Sequence, residues 1–224
     1  PDIDRGIVQV KATLLEPASA DLSLELHFKT GDVPAVTQKI AKGENSADLD
    51  VSIPNARLWT LDDPFLYEAA ATVRGEGIAE DCIHTYFGMR KIGVVNLPGT
   101  GIPYVALNNQ PIYLQLTLDQ AYHPDGFYTF PSDDFVREEI LRSKRIGLNG
   151  MRVHVKIAIP RKLYWADRLG MLIMSDIPNS WGEPDADMRK ETETALRGMI
   201  QRDFNHPSIF SWVTFNETWG LQSG

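Results

Sequence analysis

The sequence predicts a multidomain chain: an all-β sandwich of the immunoglobulin type, followed by an α/β unit that forms part of a TIM-type (β/α)8 barrel. Three observations carry that reading. Short β-forming runs fill residues 1–90, strand and helix patterns alternate over 111–224, and each strand of that second half ends in polar side chains. Residues 91–110 are read as a link into the barrel, and 111–224 as about four strand-helix units.

In the first half the runs are "IVQVKATLL", "LSLELHF", "ADLDVSI", "LYEAAATVRG" and "DCIHTYFG", punctuated by Gly, Asp, Asn and Pro. Leu22, Leu24, Leu26 and Phe28 alternate with Ser23, Glu25 and His27, as in a strand with one buried face. Several such runs at close spacing predict an antiparallel sandwich. The link "KIGVVNLPGTGIPYVALNNQ" is rich in Pro and Gly.

In the second half "PIYLQLTLD" reads as a strand and "PSDDFVREEILRSKRIG" as a helix. Ser132 caps that helix, Asp133 and Asp134 suit its positive end, Arg142, Lys144 and Arg145 its negative end, and Gly147 stops it. "NGMRVHVKI" is the next strand, and "PRKLYWADRLG" the next helix, with Pro160 in its first turn and Gly170 beyond its last. "MLIMSDIP" follows as a strand. A helix over about 185–204 carries Met188, Ala195 and Met199 on one face, and "SIFSWVTFNE" is the last strand. The order βαβαβαβ predicts a parallel sheet with right-handed crossovers, open and doubly wound or closed as a barrel. Polar strand ends favour the barrel, which gathers them at one mouth: Asp119, Arg152 with His154, Asp176, and Asn216 with Glu217.

Composition narrows the function classes. Hydrophobic residues make up 43% and charged residues 23%, as in soluble globular proteins. No apolar run approaches the roughly 18 residues of a membrane span. With 22 basic against 30 acidic residues the net charge is −8, which disfavours nucleic acid as a partner. Cys82 is the single cysteine, so an internal disulfide and a multi-cysteine zinc site are excluded, and a buried structural thiol is expected. Histidines 27, 84, 123, 154 and 206 lack metal-ligand spacing. Neither "GEGIAE" nor "PGTGIP" has the third glycine of a dinucleotide loop. No metal or cofactor is expected. No targeting segment is visible, and compartment is left open.

Three ordered segments carry a resemblance. "LWTLDDPFLYEAAATV", "FGMRKI" and "RDFNHPSIFSWVTFNE" resemble glycoside hydrolase family 2, the β-galactosidase, β-glucuronidase and β-mannosidase family, at the end of its immunoglobulin-like domain, the junction to its barrel and the fourth barrel strand. The resemblance implies a retaining β-glycosidase acting on carbohydrate, with Glu217 as general acid/base and Asn216 as a ligand of the sugar 2-hydroxyl. Retention requires a second carboxylate about 5 to 5.5 Å away as nucleophile. The family carries it on a later strand, and no residue here matches it. The chain is therefore expected to be a piece of a larger enzyme with little activity alone.

Asp119, Arg152, His154, Asp176 and Trp219 join Asn216 as expected substrate-binding residues. Competing readings stand beside them: a turn-forming role for Asp119, a loop cap for Asp176, and core or rim packing for Trp219 and Trp181. "QLTLDQAYHPDGFYTFPSDD" departs from the family's usual Arg-Gly-x-x-x-His sequence, so the sugar is left open among galactoside, glucuronide, mannoside and arabinoside. The rival class is a non-catalytic carbohydrate-binding or interaction module. A half barrel would also leave strand edges open, so self-association is expected of it.

Overall fold

The computed structural model describes residues 1–179, 182 and 185–217. They fall into two units, Pro1–Trp59 with Phe65–Pro111, and Thr60–Pro64 with the chain from Ile112 on.

The first unit is built of antiparallel strands. β1 (Ile7–Thr13), β2 (Leu22–Phe28), β3 (Val36–Ile40), β4 (Ser46–Ser52), β5 (Tyr67–Gly75) and β6 (Ile78–Phe87) form two sheets, β1-β4 and β3-β2-β5-β6. The expected alternation in β2 is present: Leu22, Leu24, Leu26 and Phe28 are buried. They share one core with Val8 of β1 and Leu49 and Val51 of β4, so residues of both sheets contribute to it. β3 escapes the sequence pattern because "VTQKI" buries only Ile40.

Tyr67 anchors this core. Its ring lies 2.2 Å from where a Cβ on Gly31 would stand, and its hydroxyl accepts the Arg57 N–H at 2.8 Å. With φ at +86°, Gly31 meets both the backbone and the space requirement. Trp59 and Met89 are fully buried, joined by the Trp59 N–H to Met89 carbonyl bond at 2.9 Å.

Two expectations are corrected here. Residues 91–110, read as a link, are themselves folded: β7 (Ile92–Asn96), β8 (Pro103–Leu107) and β9 (Gln110–Pro111) make a three-stranded antiparallel sheet counted with the first unit. The turn from β8 to β9 is Asn108-Asn109, both at positive φ (+53° and +64°), the conformation of a two-residue hairpin turn. The Asn108 amide also donates to the Trp59 carbonyl at 3.0 Å, tying the turn to the buried tryptophan. Cys82 is exposed, because β6 is an outer strand whose first eight residues face solvent.

The second unit is a parallel sheet with its connecting helices. β10 (Leu116–Asp119), α1 (Asp133–Arg145), β11 (Gly150–Val153), α2 (Pro160–Leu169), β12 (Leu172–Asp176), α3 (Ala186–Asp203) and β13 (Ile209–Val213) follow one another, and the strand order β10-β11-β12-β13 keeps chain order. Each helix starts as the sequence implies. Ser132 Oγ accepts the Phe135 N–H at 3.1 Å, Pro160 opens α2, and Asp185 Oδ1 accepts the Met188 N–H at 2.7 Å. Ile140, Met151, Val153, Leu163, Ala166, Ile173 and Ile209 form the buried core between sheet and helices. No described helix is long and apolar enough to cross a membrane.

Two polar features hold this unit at the edge where its strands begin. Asp167 of α2, fully buried, takes His206 Nδ1 at 2.5 Å and the Ser208 N–H at 2.9 Å, which fixes the entry to β13. Lys144 Nζ donates to the carbonyls of Leu61, Leu169 and Gly170 at 2.6, 2.7 and 3.1 Å. Two of these lie at the C-terminus of α2, where a cation suits the helix dipole. Burial draws the Lys144 pKa below that of an ordinary lysine, with Asp62 opposing.

Gly170 ends α2 at φ +68°, and a Cβ there would stand 2.3 Å from the Leu61 carbonyl oxygen. Gly170→Ala is therefore expected to destabilise the second unit by about 1–3 kcal/mol, from left-handed backbone strain plus displacement of that segment. Denaturant unfolding checks it; a loss under about 0.5 kcal/mol, the range of an ordinary surface change, would mean the strand-end segment yields freely.

Candidate active site

Parallel strands deliver their C-terminal residues to one edge of the sheet, and here those residues form a continuous hydrogen-bonded cluster. At its centre Arg152, from β11, meets Asp176, at the end of β12: Nε lies 3.1 Å from both carboxylate oxygens and a terminal guanidinium nitrogen lies 2.8 Å from Oδ2. Asp176 is fully buried, and its Oδ2 also accepts the Val155 N–H at 3.1 Å. Expected among the substrate ligands, Asp176 has no solvent-facing surface. Its carboxylate orients Arg152 and holds the turn after β11.

Arg152 reaches on to the residue after the next strand. Its terminal nitrogen donates to Asn216 Oδ1 at 2.8 Å, and His154 Nε2 lies 3.1 Å from the same oxygen. A guanidinium can only donate, so the Asn216 side chain must turn its carbonyl inward. That fixes the remaining groups. His154 donates through Nε2, leaving Nδ1 to accept from Gln120 Nε2 at 3.0 Å. Asn216 is itself buried, at 4% exposure, and its amide nitrogen is the one polar atom of the side chain that this network does not use. Asn179, from the loop after β12, clamps the backbone: its Oδ1 accepts the Asn216 N–H at 2.7 Å while its amide donates to the Thr214 carbonyl at 3.1 Å.

Glu217 follows Asn216 directly, is exposed, and adopts a left-handed backbone at φ +55°. A non-glycine residue held there costs about 1 kcal/mol or more, a strain that recurs at functional sites. The Asn179 clamp fixes the backbone immediately before it.

Asp119, at the end of β10, is only 11% exposed. One oxygen accepts the Ala121 N–H at 2.6 Å, the other pairs with Lys162, and its backbone carbonyl accepts the His154 N–H at 2.9 Å. Lys162, fully buried in α2, also faces Glu139 of α1 at 2.9 Å. Asp119 therefore shares the turn-forming duty weighed for it, linking β10 to two helices and to His154. Trp219, expected among the substrate-binding residues, and Trp181 lie outside the described residues. Among the described residues no group of three or more His, Cys, Asp or Glu side chains could hold a metal ion.

Sequence reasoning singled out Asn216, Arg152 and His154, which the structure joins, and missed Gln120, Asn179 and Lys162. A signal for Lys162 existed. Lys162 and Asp167 lie with Leu163 and Ala166 on the buried stripe of α2, and charged residues at stripe positions require partners. Gln120 and Asn179 lie just past their strand ends, where loop conformation decides what they touch.

The sequence pattern of "Glycosyl hydrolases family 2" matches residues 1–90, within the first unit. Across nearly the whole chain, a putative beta-glucuronidase of Formosa agariphila is 26% identical, over 97% of this chain and 21% of its own length. A beta-glucuronidase of Streptococcus agalactiae is 23% identical over 95% of this chain and 39% of its own length. A beta-galactosidase of Thermoanaerobacterium thermosulfurigenes is 28% identical over 75% of this chain and 22% of its own length. The chain thus spans between about a fifth and two fifths of these relatives.

Among solved structures, a Parabacteroides merdae beta-glucuronidase shares the fold with a TM-score of 0.74, at 22% identity, over 94% of this chain and 27% of that one. A Ruminococcus gnavus β-glucuronidase in complex with D-glucuronic acid does so with a TM-score of 0.77, at 21% identity, over 97% and 36%. The pattern match over residues 1–90, the β-glycosidase relatives and the shared fold point the same way: the chain is similar to proteins of glycoside hydrolase family 2.

Proposed function

We propose that the chain is the immunoglobulin-like sandwich and the first half of the (β/α)8 barrel of a retaining β-glycosidase, with Glu217 as its general acid/base. The observation that carries the reading is the cluster at the C-terminal sheet edge. Three successive strands supply Arg152, Asp176 and Asn216 to one network, and the last of these immediately precedes the candidate acid. A barrel rather than a doubly wound sheet is favoured because the strands keep chain order without a reversal.

In this reading the Asn216 amide donates to the sugar 2-hydroxyl, a contact that strengthens as positive charge develops at the anomeric carbon. Arg152 and His154 hold that amide in place, and Asp176 holds Arg152. Asp119 and Lys162 act behind His154 as positioning groups. Glu217 protonates the departing oxygen and then activates water, while the nucleophilic carboxylate comes from residues outside this chain. Hydrolysis by the chain alone is accordingly negligible.

The test is the stereochemistry of the complete protein containing this chain. Aryl β-glycosides of galactose, glucose, glucuronic acid and mannose are hydrolysed under NMR observation, and a retained β-anomer is the expected first product. Inversion would remove the two-step mechanism. Sugar binding with no hydrolysis of any glycoside would favour a non-catalytic carbohydrate-binding module.

A further inference from the structure

Beside the cluster stands a charged group that the proposed mechanism does not use. Lys156 follows β11 by three residues, and its Nζ is buried with no hydrogen-bond partner among the described residues. It lies instead over two aromatic faces, 3.7 Å from the ring centre of Tyr122 and 4.7 Å from that of Tyr128. The two phenol oxygens are 3.1 Å apart, and the loop that carries the rings is closed by paired His123 and Phe127 backbone bonds of 2.8 and 2.9 Å. Burial draws the Lys156 pKa below that of an ordinary lysine, opposed by Tyr128 and Asp119 and reinforced by Lys162.

The backbone is strained to bring Lys156 there. Val155 has φ +55°, a left-handed conformation that is a genuine outlier for a β-branched residue, and its N–H is held by the buried Asp176. Such strain of about 1–3 kcal/mol persists where the surroundings over-determine it, and it concentrates at ligand sites. An ammonium stripped of water and left without acceptors is a further cost that two aromatic faces offset only in part. Both rings are more than half exposed, 57% for Tyr122 and 58% for Tyr128, so the cover over Lys156 faces solvent on its other side.

We propose that Lys156 is a specificity residue that receives an anionic oxygen group of the substrate, with Tyr122 and Tyr128 as the cover that moves aside to admit it. Three unpaired N–H donors on a desolvated cation match a carboxylate or a sulfate far better than a neutral hydroxyl. Either a uronic acid or a sulfated sugar supplies that chemistry. The inference rests on the reading of this sheet edge as a carbohydrate site, and it adds the class of substrate.

The test uses the 224-residue chain and NMR titration with methyl β-D-glucuronide, methyl β-D-glucoside, glucose 6-sulfate and inorganic sulfate. The glucuronide or the sulfated sugar is expected to bind about tenfold or more tighter than the glucoside and to shift the Tyr122, Tyr128 and Lys156 signals. Whichever of the two does so identifies the source of the anion. Lys156→Met should abolish the preference and Lys156→Arg should keep most of it, with an unchanged dispersed spectrum showing that each variant folds. Equal binding of charged and neutral sugars, or a preference that survives Lys156→Met, overturns the inference while the carbohydrate reading stands if the Asn216 signal shifts. Sulfate shifting Lys156 with no sugar perturbing Arg152 or Asn216 supports an oxyanion site at Lys156 and sinks the carbohydrate reading instead.

Discussion

On the proposed reading, Glu217→Gln in the protein that contains this chain is expected to lower kcat/KM by about 10²–10⁴-fold on glycosides whose leaving alcohol is a poor one, roughly 3–5 kcal/mol of transition-state stabilisation. The glutamine keeps the shape and a hydrogen-bonding head but has no proton to give. The loss in kcat/KM should shrink sharply for nitrophenyl glycosides, because a phenolate of low pKa departs without protonation, whereas kcat stays low because hydrolysis of the glycosyl-enzyme has lost its base. That dependence on leaving group distinguishes a missing acid from a damaged fold, which would depress all substrates alike. Steady-state kinetics over a series of aryl leaving groups measures it. Uniform loss of kcat/KM across the series, or none, would take the acid/base role away from Glu217.

Removing the buried carboxylate at the centre of the cluster should have the largest effect on stability. Asp176→Ala leaves Arg152 with the Asn216 carbonyl as its remaining charge-stabilising partner in a largely desolvated position, and leaves the strained Val155 N–H without an acceptor. Breaking a buried ion pair from one side costs about 3 kcal/mol or more, which would lower the unfolding midpoint of the second unit by on the order of 10 °C. Asp176→Asn should be milder, since it keeps one acceptor oxygen but sets an amide donor against the guanidinium. Thermal and denaturant unfolding of the two variants measures the difference. A cost below about 1 kcal/mol for Asp176→Ala would show that solvent already reaches this pair and that its anchoring role is minor.

What the sequence made legible follows from how local each feature is. The helices of the second unit were readable to within a residue or two because their signals are short-range: Ser132 before α1, and Pro160 and Gly170 around α2. The alternation of β2 was equally plain, since its buried residues fall strictly on one side. β3 was not, because an outer strand with one buried residue has no pattern to show. The sheet over 92–111 is hidden for a different reason. Pro and Gly suggest a link, the Asn108-Asn109 turn is only two residues long, and the tie to Trp59 joins residues far apart in sequence.

The site divides along the same line. That polar groups would gather at strand C-termini follows from the topology, and so Arg152, His154 and Asn216 could be named. Which of them faces a ligand depends on burial, and burial is set by the whole fold. Asp176 lies at a strand end like the others, yet its carboxylate turns inward. Lys156 belongs to the run "NGMRVHVKI", but nothing in the sequence tells that Val155 bends the chain to lay its ammonium on two tyrosines.

The orientation forced on the Asn216 amide makes this floor one-handed in polarity. Its oxygen is committed to Arg152 and His154, so on the proposed reading N–H alone is left for a ligand, with a guanidinium standing behind it. A sugar entering the proposed site is therefore judged by its lone pairs. A hydroxyl can turn its oxygen toward such a surface, whereas a protonated amine at the same carbon has no lone pair to turn and would meet positive charge, so a 2-amino-2-deoxy sugar is disfavoured by the site itself before any clash of size.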